Sequence, residues 1–530
     1  MKKYIAILLI ILLAAVIYSQ NLFQPFIYHH GSSLAEHGWP AKNYVKYGLI
    51  KSGLAPIETS GPIEYYDSYK MYIRSDHPFL PRLIAGITLS ILGNHDWVMR
   101  IPLILFALAT IPIFFAIASR LLSIKGAIIS TLIFAFNPMY AYMSVVTMHQ
   151  VNTLFFILLA FYFYLRWRDS RAMGNFITVI VAIFFACNMD WPGYYIAVVL
   201  FLYHFFIEQE DRKYAIAFLA TNISIFCLYL LHLYLLDTEN LYPLKTLLLA
   251  GTSRSFAGLP TLPQYLYSQA REIGLYFTVP ICILSVIWLI RTLFFNRTKE
   301  NIFIVFTLFL GLDLLIFVNL CYNHDFYAYY LVVFLSLSAG SELCNLWRKG
   351  TLCKILSSLL IISFAIQTYL VLHDRYTKVG AYELYYKMGI AINEKTQYKD
   401  RVIIATDNIL YYTPYYADRY FLTYNRNTGE LMESNLDGRG IRLTIAEFCD
   451  TVSKNKEGMD YLVLTTKDLV TTAVPYFEKI KASTSSEELN NIMQKFQIVI
   501  DPEKDELYKF LAGRYHSETY NGFIFFRLGK

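Results

Sequence analysis

Tyr72-Ile73-Arg74-Ser75-Asp76-His77-Pro78-Phe79-Leu80 is a polar island in an apolar chain. The stretch that follows, Phe79 to Leu92, is about 14 residues of mostly apolar character interrupted by Pro81 and Arg82. That is shorter than the roughly 20 residues needed to span a bilayer core. It therefore predicts an interfacial or re-entrant helix, not a span. An Asp-His-Pro step at such a boundary places a carboxylate, an imidazole and a fixed turn where packing alone has no use for them. Its plain structural alternative is that Asp76 caps the short helix.

Around this island the chain reads as membrane protein. Of its 530 residues 56% are hydrophobic and only 16% charged, against about 25% charged in soluble domains. The apolar residues gather into runs at about 4–20, 98–118, 126–144, 151–167, 175–189, 193–208, 214–236, 274–291, 302–321, 328–346 and 355–372. These predict a polytopic α-helical membrane protein with about 11 transmembrane helices. The first run follows Met1-Lys2-Lys3, as in a signal peptide. The segment Ser19-Gln20-Asn21-Leu22-Phe23 has no small-x-small cleavage site, so the run is expected to remain as a first span. The net charge of +6 is modest and no basic cluster interleaves with aromatics, which argues against a nucleic-acid partner. The seven cysteines show no metal-type spacing.

Lysine and arginine set the expected orientation. With the N-terminus cytoplasmic, the short inner connections carry Arg120 and Lys125; Arg166, Arg168 and Arg171; Arg212 and Lys213; Arg291, Arg297 and Lys299; and Arg348, Lys349 and Lys354. The short outer connections Thr147–Gln150, Met189–Gly193 and Asn323–Tyr327 carry none. Residues 1–373 are thus expected to form a transmembrane body with a long first outer loop, 21–97. Residues 374–530 are expected to form a soluble extracytoplasmic α/β domain. In that tail, β-rich runs at 402–406, 461–465 and 523–528 alternate with helical stretches at 382–394 and 486–495.

On this topology the ionisable residues fall on the outer side: Glu36, His37, Asp67, Arg74, Asp76 and His77 in the first loop, His149, Asp190, and His324-Asp325 in later turns. Ionisable groups at membrane depth are paired or functional, so several on one face predict a shared outer cavity. Asp313, inside a run, reads as an interhelical hydrogen-bonding group. Each of the others also has a plain reading as a loop pair, helix cap or interface anchor.

These residues, in this order, resemble the GT-C superfamily of polyprenyl-phosphate-sugar-dependent membrane glycosyltransferases, in the branch of the protein O-mannosyltransferases and the lipid A aminoarabinose transferase. His29-His30-Gly31 with Ala41-Lys42-Asn43-Tyr44-Val45-Lys46-Tyr47-Gly48 is similar to that family's first-loop segment. Asp76-His77-Pro78-Phe79-Leu80 resembles its HPPL motif. Asp96-Trp97-Val98-Met99-Arg100-Ile101-Pro102, Asp190-Trp191-Pro192-Gly193-Tyr194-Tyr195 and His324-Asp325-Phe326-Tyr327 resemble later motifs. The resemblance covers about residues 1–375. The chain departs from the pattern at Ser33, where relatives carry an acid, at Phe79 in place of a second proline, and at His149-Gln150 in place of an acidic turn.

The resemblance implies an inverting glycosyltransferase in a bacterial or archaeal plasma membrane. A first-loop carboxylate would take the proton of an acceptor hydroxyl, on a glycan, a lipid or a protein, while a polyprenyl-phosphate-linked donor gives up its sugar. Glu36 and Asp76 are the two candidates for that base. His77, Arg74, Arg82, Arg100, Asp190, His324 and Asp325 are expected to bind substrate, with Arg254 and Arg271 as further cations for the phosphate. No cofactor is required by the pattern; a divalent metal would find donors in Glu36, His37, Asp76 and His77. The competing readings are a transporter or flippase of a lipid-linked substrate, disfavoured by the absence of a visible repeat, and a non-catalytic relative of the same family.

Overall fold

The structure, a computed structural model, describes residues 2–66, 68–256, 259–379, 383–406, 412–426, 429–433, 441–454, 458–465 and 505–528. Asp67 and the expected helical stretch 486–495 lie outside the described residues, as does the side chain of Arg254. The chain divides into two units. One comprises Met1–Ile57 and Ile73–Gly380, the other Glu58–Tyr72 and Ala381–Lys530.

In the first unit all eleven apolar runs are helical, as lipid requires of a segment that must satisfy its own backbone. Among the described residues five helices are long and apolar enough to cross a membrane: Asp96–Leu121, Met148–Ser170, Arg212–Leu236, Asp325–Trp347 and Thr351–Thr377. Leu262–Tyr276 and Val279–Phe295, bent by 108°, would supply a sixth if taken as one span. The expected count of about 11 is therefore not confirmed, and the reasons are local. Lys2–Tyr18 stops at 17 residues. Asn137 divides its run, capping the next short helix through Met139 N–H before Pro138. The run at 302–321 is broken into Lys299–Phe306, Thr307–Gly311, Asp313–Ile316 and Val318–Asn323. Exposed leucines and isoleucines such as Leu8, Leu12, Leu352 and Leu359 leave lipid-facing apolar surface on the first and last of these helices.

Two short helices carry the first loop. Leu80–Leu92 is a helix of 13 residues, short as expected, with Pro81, Arg82, Ala85, Gly86 and Leu89 buried. Its N-cap is Phe79 and no side chain caps it, so Asp76 does not serve as the cap. Gly31–Tyr47 precedes it and was hidden by Pro40 in its middle. It buries Leu34, Ala35, Trp39, Ala41 and Tyr44, and packs along Leu80–Leu92.

Among its described residues the second unit is built on a seven-stranded sheet: β1 (Arg401–Thr406), β2 (Tyr420–Asn425), β3 (Glu430–Glu433), β4 (Ile441–Arg442), β5 (Tyr461–Thr465), β6 (Ser517–Tyr520) and β7 (Phe523–Arg527). The order is β4-β3-β2-β1-β5-β7-β6. β1 pairs in parallel with β2 and β5, and the outer pairs are antiparallel. Val402, Ile404, Phe421, Val463 and Phe525 meet Met388 and Ile392 of Glu383–Lys395 in its core. Residues 58–72 belong here although the sequence places them within the first loop. The Tyr65 hydroxyl donates to Lys399 O at 2.9 Å, Gly61 N–H donates to Asp418 Oδ1 at 3.1 Å, and the Arg401 guanidinium lies over the Tyr65 ring.

Candidate active site

From Ile73 to Phe79 the polar island is an irregular segment held within the first unit. Ile73 bridges Ile57, and Arg74 N–H donates to Pro56 O at 3.1 Å. The Tyr229 hydroxyl lies 2.8 Å from Ser75 O and 3.2 Å from His77 O. Ser75 Oγ donates to Pro243 O, and Trp191 Nε1 donates to Asp76 O at 2.8 Å. With these backbone carbonyls satisfied, the side chains of Asp76 and His77 are held in place.

Two charge systems meet there. Arg74 bridges the first-loop acids: Nη2 lies 2.5 Å from Glu36 Oε1 and Nε donates to Asp76 Oδ1 at 2.9 Å. Arg82, fully buried, lies 3.8 Å from the same Asp76 oxygen and donates through Nε to His37 Nδ1 at 3.3 Å. On the other side His77 Nδ1 meets Asp190 Oδ1 at 2.8 Å, leaving His77 Nε2 4.0 Å from Asp76 Oδ2. Burial opposes ionisation of Asp190. The adjoining His77, with help from His149 and the Trp191 N–H, overcomes it and holds the carboxyl below its ordinary range. His77 and Asp190 are thus held as a buried hydrogen-bonded pair.

The turn that presents Asp190 depends on Gly193. A Cβ on that residue would stand 2.0 Å from Ala186 O. The tight fit lets Gly193 N–H reach Asp190 O at 2.9 Å while Trp191 N–H reaches Asp190 Oδ1 at 2.9 Å.

Histidines stack behind these carboxylates. The His77 and His149 rings are parallel at 4.6 Å, and the His37 ring meets His149 edge-on at 4.2 Å. Burial, with His149 and the Arg82 and Arg74 guanidinium groups nearby, pushes the His37 imidazole well below its usual range. A small cavity opens onto this group, lined by Asp76, His77, Asp190, Trp191, Asp313 and Tyr327 among others. Asp313 accepts a hydrogen bond from the Tyr195 hydroxyl at 2.5 Å. That bond joins two helices, as expected of Asp313, and the break in its own apolar run also brings it to the cavity wall.

Asp76, His77, Arg74, Arg82, Asp190 and Glu36 are therefore brought together, with Glu36 joined through Arg74. Arg100 does not join them. Its guanidinium donates to Leu22 O, Gln24 O and Pro25 O and lies 4.8 Å above the Phe26 ring, fixing the chain after the first helix. His324 packs on Phe326 and Tyr327, and Asp325 sits with His29 and His30. Of the four expected metal donors, Glu36, Asp76 and His37 each face a guanidinium that already supplies positive charge. Only His77 enters a converging donor group, with His149 and Asp190. His149 Nδ1 bonds to Met189 O at 3.1 Å, while its buried Nε2 has no hydrogen-bond partner among the described residues. This trio could hold a divalent ion once His77 exchanged its bond to Asp190.

Residues 76–235 match the family model of dolichyl-phosphate-mannose-protein mannosyltransferase. Among solved structures the chain is similar to ArnT from Cupriavidus metallidurans bound to undecaprenyl phosphate, with a TM-score of 0.61 and 12% identity over 88% of this chain and 94% of that one. It is also similar to the oligosaccharyltransferase of Archaeoglobus fulgidus, with a TM-score of 0.59 and 12% identity over 88% and 70% of the two chains. The fold is that of the GT-C membrane glycosyltransferases. At this level of identity the likeness to the solved structures is one of fold. No curated protein matches the sequence. The stretch matched by the family model includes Asp76, His77, Arg82, Arg100, His149 and Asp190 but not Glu36 or Asp325.

Proposed function

We propose that the protein is an inverting glycosyltransferase that moves a sugar from a polyprenyl-phosphate donor to an acceptor hydroxyl on the extracytoplasmic side of a bacterial or archaeal plasma membrane. The observation that carries this reading is the position of Asp76. It lines the cavity beside the linked His77–Asp190 pair, between two arginines, where Glu36 does not reach the wall. Of the two first-loop acids, Asp76 is thus the better placed base. Apolar lining from Leu247, Phe317 and Leu320 suits the lipid-linked end of a donor.

In this reading Asp76 takes the proton of the acceptor hydroxyl as its oxygen attacks the anomeric carbon. The bond from that carbon to the phosphate oxygen breaks on the opposite face, and the polyprenyl phosphate leaves with the electron pair. Arg74, the less buried of the two arginines, offers positive charge toward the leaving phosphate. The buried Arg82 and the His77–Asp190 pair keep Asp76 and the adjoining backbone oriented. Asp190 and Asp313 offer acceptors for sugar hydroxyls.

The deciding experiment incubates the purified protein in proteoliposomes with a radiolabelled polyprenyl-phosphate sugar and a panel of glycan, lipid and peptide acceptors. Label should appear on an acceptor with inverted anomeric configuration. Transbilayer movement of the donor without transfer would establish the transporter reading instead, and saturable binding alone the non-catalytic one.

A further inference from the structure

We propose that His29, His30 and Asp325 form a divalent-cation site of the zinc class, separate from the catalytic cavity, that ties the chain after the first membrane helix to the turn at 324–327. The three residues come from segments nearly 300 positions apart, as the His29–Asp325 separation of 296 shows. None of them lines the cavity that holds Asp76.

Two imidazoles and a carboxylate converge in one hydrogen-bonded cluster with the Tyr276 hydroxyl. One ligand atom from each residue lies within 4.8 Å of the others. His30 Nε2 stands 2.6 Å from Asp325 Oδ1, and His29 Nε2 stands 3.5 Å from Asp325 Oδ2. His30 and Asp325 are thus each other's partners, and an ion would replace that direct pairing. Donors at about 2.0 Å around a tetrahedral zinc ion are separated by about 3.3 Å, a spacing these side chains reach with small rotations.

The surroundings hold the donors in place. The Tyr276 hydroxyl donates to Asp325 Oδ2 at 2.6 Å, the type of outer contact that orients a ligating carboxylate. The Tyr142 hydroxyl donates to His29 O. His30 has a left-handed backbone with φ of 58°, which turns its ring toward Asp325 beside that of His29, 4.0 Å away. Burial keeps the His29 imidazole below its ordinary range, favouring the neutral form that binds metal. Two imidazole nitrogens and one carboxylate oxygen are a zinc-type set, with a fourth position left for water. The nearby cation, Arg375, lies over the Tyr276 ring at 5.2 Å and interacts with Asp374, so it does not occupy the place of the ion.

The test uses the full chain in detergent, stripped with a chelator and re-equilibrated with zinc chloride alone, with bound metal measured by inductively coupled plasma mass spectrometry. Wild type should retain about one zinc per chain at this site. His30→Ala with Asp325→Asn should lose it, whereas His149→Ala, in the other donor group, and His373→Gln, on the last helix, should keep it. Cobalt substitution should give a tetrahedral absorption band in wild type that the double variant lacks. Should the double variant fail to fold, zinc-edge X-ray absorption of wild type decides, with two imidazoles and one carboxylate expected around the ion. Wild type that takes up no zinc, zinc lost with His149→Ala but kept in the double variant, or an absorption spectrum lacking two imidazoles would each overturn the proposal. Because the readout is bound metal, it stands apart from any result on sugar transfer.

Discussion

His77 Nδ1 and Asp190 Oδ1 lie 2.8 Å apart across 113 residues of sequence, both buried. This contact joins the first loop to the turn between Met173–Met189 and Gly193–Tyr203, and it fixes the imidazole that neighbours Asp76. Removing one partner leaves the other buried without its counterpart, a change that costs about 3–5 kcal/mol in comparable pairs. Asp190→Ala should therefore lower the unfolding midpoint in detergent and abolish transfer, and Asp190→Asn, which keeps the shape, should recover part of the stability. Thermal unfolding followed by tryptophan fluorescence checks this; an unchanged midpoint in Asp190→Ala would remove the pair from the account.

The two first-loop acids should separate in kinetics. Losing a general base typically costs about 10²–10⁴ in rate, so Asp76→Asn should lower kcat by that range while donor binding persists. Glu36 contributes through its ion pair with Arg74 at 21% side-chain exposure, and such pairs are worth about 0–1 kcal/mol. Glu36→Gln should accordingly cost less than about tenfold. Initial rates with a labelled donor compare them directly, and the reverse ranking would move the base to Glu36.

Acid should destabilise the first-loop site through His37. Its imidazole is neutral in the fold, accepting from Arg82 Nε, and titrates well below its ordinary value of 6.5. The folded chain then binds this proton less readily than the unfolded one. The stabilisation is complete above about pH 6.5 and is lost as pH falls from there toward the folded value, by at most about 1.4 kcal/mol per pH unit. His37→Gln, which can still accept from Arg82, should flatten the stability profile between pH 7 and pH 5 (about the range titrated by histidine). Unfolding midpoints across that range, in both proteins, provide the measurement.

Gly193→Ala should displace the turn that carries Asp190, since the added carbon would meet Ala186 O at 2.0 Å. Overpacking of this kind costs about 1–3 kcal/mol. Loss of transfer should accompany the loss of stability, and a second alanine at the open position Gly174, where nothing lies within 4 Å of the added carbon, should change neither.

Arg100 should behave as a structural residue. Arg100→Ala deletes three bonds to carbonyls and the contact with Phe26. A hydrogen bond from a charged group contributes about 1.5–3 kcal/mol, so the midpoint should fall while the KM for the donor in the surviving folded protein stays near that of wild type. A raised KM with unchanged stability would return Arg100 to the substrate site.

What was legible in the sequence was whatever depends on local pattern. Apolar runs must become helices in lipid because their backbone has no other partner, and all eleven do. The short helix after His77-Pro78 was visible for the same reason, as were β1, β5 and β7, whose β-rich runs are bounded by polar residues. The motifs around Asp76 and Asp190 were visible because these residue types are out of place at a membrane edge. What only the tertiary structure decided was pairing. Which of Glu36 and Asp76 reaches the cavity, that Asp190 holds His77, that Arg100 serves the backbone, and that Asp325 meets His29 and His30 instead of Asp76 all depend on segments far apart in sequence, up to 296 residues for His29 and Asp325. Hydrophobic periodicity fixes where a helix begins and which face it buries. It carries no record of which other helix that face will meet, and the chemistry of this chain is built from such meetings.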